Sequence, residues 1–84
     1  MMGREAREEE VCLTRLAQVE LRIAETSASL EVQRRIIAVL ESDGLQAPIQ
    51  FSHRRLEQLT RTHKAHLSDR TRILDHLTAL RRNL

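Results

Sequence analysis

The sequence predicts an all-α protein, an antiparallel two-helix hairpin that dimerises into a four-helix bundle. Three observations lead there. Gly and Pro interrupt the interior only within residues 42–48, where Gly44 and Pro48 stand; the other Gly is Gly3. On either side of that break, apolar residues recur at alternating steps of three and four, the spacing of a helix seam. Composition favours helix over sheet, since Leu, Ala, Glu and Arg are abundant, β-branched residues are few, and Phe51 is the lone aromatic. A single domain of 84 residues is expected, with a helix over 4–43, a turn over 44–47 and a helix over 48–83.

In the first helix the seam reads Cys12, Leu16, Val19, Ile23, Thr26, Leu30, Gln33, Ile37 and Leu40. Glu5, Glu8, Glu9 and Glu10 lie in the opening turns, where acids complement the helix dipole. Gly44 suits the left-handed position just past the helix end, with Leu45 folding back towards Leu40 in a Schellman ending.

The second helix is expected to start with Pro48 in its first turn or, less favourably, with Ser52 as N-cap. Its seam reads Ile49, Leu56, Leu59, His63, His66, Arg70, Ile73, Leu77, Leu80 and Leu84, widened by Leu67 and Leu74. Arg81 and Arg82 fall in the last turn, where cations suit the carbonyl end. Folding at the break should set Ile37 near Leu56, Leu30 near His63, Thr26 near His66 and Leu16 near Leu77.

Two helices bury little, so a partner is expected. The first helix offers a second stripe for one: Leu13, Ala17, Leu21, Ala24, Ala28, Val32 and Val39. It lies about 120° around the helix from the seam, and its Ala residues let another helix approach closely. The leading functional expectation is therefore a small non-enzymatic interaction or scaffold protein. It would act as a homodimeric bundle through this stripe, or through it grip another protein.

Charge divides between the arms. Residues 1–44 hold six Arg against nine acids, whereas residues 45–84 hold eight Lys or Arg against three acids. This opposition favours antiparallel pairing of the arms. Arg54, Arg61, Lys64, Arg72 and Arg82 fall at outward positions of the second helix and form a basic ridge. Such a ridge can neutralise phosphates, which makes a nucleic-acid-binding regulator the alternative expectation. Glu57 and Asp75 interrupt the ridge, and no aromatic residue is counted on it to stack a base.

Other chemistry is weakly represented. His63 and His66, three residues apart on one helix face, could share a metal, but the opposing residues Thr26, Leu30 and Gln33 are poor ligands. A hydrogen-bonded polar layer that sets register is the favoured role for this pair, and no metal or cofactor is expected. Cys12 occupies a seam position among acids and is expected to pack rather than react. No Gly-rich phosphate loop or positioned nucleophile suggests an enzyme. The longest apolar run, Ile36–Leu40, is far short of a membrane span, and the charged first ten residues contain no apolar leader. With a single cysteine as well, no membrane partner and a cytoplasmic location are expected.

Overall fold

A computed structural model describes residues 3–83 of the chain. Helix α1 runs Gly3–Ser42 and helix α2 runs Gln46–Arg82, with no strand among the described residues. The helices lie side by side and antiparallel, as three cross-helix contacts show. Glu9 meets Arg81, Glu20 meets Arg70, and Thr26 meets His63, so partners on α2 descend as those on α1 rise. The result is a rod of 66 × 14 × 14 Å. Its radius of gyration is 18.9 Å, where a compact chain of this length would have about 12 Å.

The turn follows from Gly44, whose φ of 68° lies in the left-handed region. The Leu45 amide donates to the Leu40 carbonyl at 3.1 Å and the Gly44 amide to Glu41 at 3.2 Å, the two bonds of a Schellman motif. Leu45 then serves as N-cap of α2 without a side-chain cap bond, and its carbonyl accepts from the Ile49 amide at 3.1 Å. Pro48 is the third residue of α2, where its missing N–H costs nothing because the first amides of a helix have no internal partner. Ser52 is not an N-cap. It lies well inside α2 and is buried, because the helix starts six residues before it.

Burial tracks the alternating seam. Cys12, Val19, Thr26, Leu30 and Ile37 are buried on α1; Ile49, Ser52 and Leu77 are buried on α2. Leu16, Ile23, Gln33 and Leu40, with Leu56, Leu59, His63, His66, Ile73 and Leu80, are half-buried between them. Leu67 is half-buried and does widen the seam, but Leu74 is 40% exposed and does not. Leu74 sits further along the same flank, where a two-helix contact is too narrow to cover it. Leu84, the final seam residue, lies outside the described residues.

The register differs from the expected one by a seam step. Thr26 Oγ1 is hydrogen-bonded to His63 Nδ1, where His66 was the expected neighbour. The cause is the tight turn: α2 begins at Gln46, directly after the Schellman ending, two residues sooner than anticipated. Each α1 residue is therefore level with an α2 residue nearer the turn.

Candidate functional site

The seam's polar layer is built around Thr26, which is 9% exposed. Its Oγ1 lies 2.6 Å from His63 Nδ1, 3.0 Å from the Arg22 carbonyl and 3.2 Å from the Ile23 carbonyl. A hydroxyl has one proton, so it donates either to a carbonyl of its own helix or to His63. If it donates to Arg22, His63 Nδ1–H must be the donor across the seam. A second polar tie comes from Gln33, whose Nε2 donates to the Ser52 carbonyl at 3.3 Å. Both ties link the arms, and no buried side-chain nitrogen or oxygen among the described residues lacks a partner.

This layer does not assemble a metal centre. His63 is engaged by Thr26, and among the described residues no group of three His, Cys, Asp or Glu could hold an ion. Cys12 is buried in the seam towards the open end of the rod. A shallow groove there is lined by Cys12, Arg4, Arg7, Glu8, Arg15 and His76, the last brought to it from α2. Among the described residues no helix is long and apolar enough to cross a membrane.

Two outer faces remain, the apolar stripe on α1 and the basic ridge on α2. On α1 the stripe is exposed along its whole length: Leu13 is 42% exposed, Leu21 61%, Val32 53% and Val39 59%, with Ala17, Ala24 and Ala28 exposed between them. Val11 and Ile36 add to the apolar surface of the same helix. A shallow dimple lined by Arg35, Ile36, Val39 and Leu40 marks the stripe near the turn.

On α2 the ridge residues Arg54, Arg61, Lys64, Arg72 and Arg82 are all exposed. They are not equivalent. Arg72 Nη1 lies 3.7 Å from Asp69 Oδ1, one turn away on the same helix, so part of its charge is already met. The turn-proximal part differs in a second respect that the sequence reading missed. Phe51 is 74% exposed and lines one groove with Arg54, Arg55, Glu57, Gln58 and Arg61. Phe51 precedes Arg54 by three residues and Arg55 by four, the steps that place side chains on one helix face. That spacing was present in the sequence. Phe51 belongs to this face only when it is read together with the arginines that follow it.

Charge opposition between the arms is realised at two exposed ion pairs, Arg81 Nε to Glu9 Oε1 at 3.1 Å and Arg70 Nη1 to Glu20 Oε1 at 3.9 Å. Arg70 is notable for occupying a seam position; its half-buried stem runs along the contact while its guanidinium reaches out to Glu20.

The fold and its faces define a narrow helical rod with one apolar and one basic side. No protein-family model, curated protein or solved structure matches the chain.

Proposed function

We propose that this chain is a small non-enzymatic interaction or scaffold protein that works as a homodimeric four-helix bundle, joined through the outer stripe of α1. The observation that carries the reading is the continuous exposure of Leu21, Val32 and Val39 in line with Ala17, Ala24 and Ala28. A helix whose outer face met only water would carry polar residues there. No side chain among the described residues is fully buried in the single hairpin, so the seam by itself makes a thin core. Covering the stripe would add the missing layer.

A second copy fits this stripe by shape. Two α1 helices crossing antiparallel with Ala28 on the two-fold axis would set Ala24 against Val32 and Ala17 against Val39. Each pair is equidistant from Ala28, so Ala17 and Ala24 each meet a larger residue while Ala28 meets its own copy on the axis. Glu25 and Glu31 would approach in the same register, and Arg35, 3.3 Å from Glu31, would supply the counter-charge. The ridge of α2 suits self-pairing poorly, because two copies would oppose cations.

Sedimentation equilibrium with circular dichroism over a concentration series tests the reading. A dimer mass and a melting temperature that rises with concentration are expected. Leu21→Glu and Ala28→Glu should each give a monomer, while Arg61→Glu should leave the mass unchanged. A wild-type chain that stays monomeric and fully helical at every concentration would exclude the homodimer. A weakly helical monomer would instead assign the stripe to a different protein.

A further inference from the structure

The α2 groove at Phe51 is a surface that the dimer does not use. Phe51 is the most exposed large apolar residue described, at 74%, and it lies outside both the seam and the α1 stripe. Around it the charge is one-sided: residues 51–64 contain Arg54, Arg55, Arg61 and Lys64 against Glu57 alone. Among the described residues neither Arg54 nor Arg61 forms an ion pair, in contrast to Arg72 with Asp69. The groove has a volume of about 400 Å³.

We propose that the groove formed by Phe51, Arg54, Arg55, Gln58 and Arg61, with Glu57 the one acid in its lining, binds single-stranded nucleic acid, with a base stacked on Phe51 and the backbone phosphates on the arginines. Exposed aromatic rings beside cations are the two elements that single strands require, since every base has a stacking face and every linkage a charge. Gln58 offers an amide donor and acceptor towards a base edge, and Arg55 Nη1 donates to its Oε1 at 3.5 Å, which holds it beside the arginines. Arg54 and Arg61 are seven residues apart, about 10 Å along the helix axis, and a flexible strand can adapt its phosphates to that separation.

A duplex fits less well. Its bases are already stacked, so Phe51 would gain nothing from it, whereas an unpaired base is free to lie on the ring. Acidic side chains of a peptide would match the arginines, but they carry no ring to lie on the exposed Phe. Because the groove lies on α2 and the stripe on α1, a dimer joined through the stripe would carry two grooves, one on each copy. The proposal therefore stands apart from dimerisation, and each can fail without the other.

Fluorescence anisotropy with labelled single-stranded RNA and DNA of about 12 nucleotides tests it, alongside heparin as a charge-only probe. Binding of either oligonucleotide is expected, weakening with salt along a log–log slope of about −2 if three phosphates are neutralised. Phe51→Ala should weaken oligonucleotide binding by about 5- to 150-fold while leaving heparin affinity unchanged, and Phe51→Trp should retain oligonucleotide binding. Arg54→Glu combined with Arg61→Glu should abolish binding of both probes. Phe51 is exposed, so its variants should keep wild-type helicity and sedimentation. No oligonucleotide binding at low salt, or equal affinity of wild type and Phe51→Ala, would overturn the proposal. An equal loss of heparin binding in Phe51→Ala would overturn it too.

Discussion

Thr26 and His63 tie one arm to the other through a side-chain hydrogen bond. Thr26→Val keeps the shape but leaves a half-buried ring nitrogen without its partner, at a cost of about 1–3 kcal/mol in urea denaturation. Removing both polar groups in Thr26→Val with His63→Leu should recover most of that loss, because an apolar pair leaves nothing unsatisfied. A double variant no more stable than Thr26→Val alone would show that the bond is not what the single change costs. Leucines on the seam should also separate by burial. Leu77→Ala, at a 4% exposed position, should cost about 2–3 kcal/mol, the low end for a buried leucine because this core is thin. Leu74→Ala, at 40% exposure, should cost well under half as much. Sequence spacing assigned both leucines to the seam region; only burial told them apart.

At the scale of elements, the end of α1 was the most legible feature. Gly44 was marked by its place between two periodic segments, and the Schellman bonds follow from it. A methyl group at residue 44 would meet nothing within 4 Å, so Gly44→Ala isolates the backbone cost of a positive φ. That cost should be about 1–2 kcal/mol in thermal or urea unfolding. Gly44→Asn should lose less, since Asn visits this conformation more readily. Gly3→Ala, with equally open space and no positive φ, should be neutral or slightly stabilising. The start of α2 was harder to read. Leu45 carries no capping side chain, so Pro48 and Ser52 were the only visible signals, and the true start at Gln46 precedes both.

The whole molecule is a rod whose stability rests on one long contact. The two cross-arm ion pairs contribute little to it. Arg81 is more than half exposed, and Arg81→Ala should change stability by less than about 1 kcal/mol at moderate salt. Their value lies in orientation, since they match the acidic arm to the basic one in the antiparallel sense. Dimerisation would double the number of helices around the core, and the melting temperature of the wild type should then depend on concentration where that of Leu21→Glu does not. The two outer faces were unequally legible. The α1 stripe could be read from periodicity, whereas the α2 groove needed Phe51 and the arginines to be considered together.

Helix, turn and seam were determined by the sequence itself, because each depends on residues within a turn or two of one another. The three-and-four spacing sets which side of a helix is apolar, and Gly44 sets where the chain reverses. Only the tertiary structure decided the register, which brings Thr26 to His63 and Gln33 to the Ser52 carbonyl. Register depends on how many residues the turn consumes, and adjacent seam steps offer nearly equal apolar contact. Tertiary packing also decided which residues stay uncovered. Phe51 remains exposed and Ser52 is buried because the seam of α2, one residue further on, is the side that faces α1.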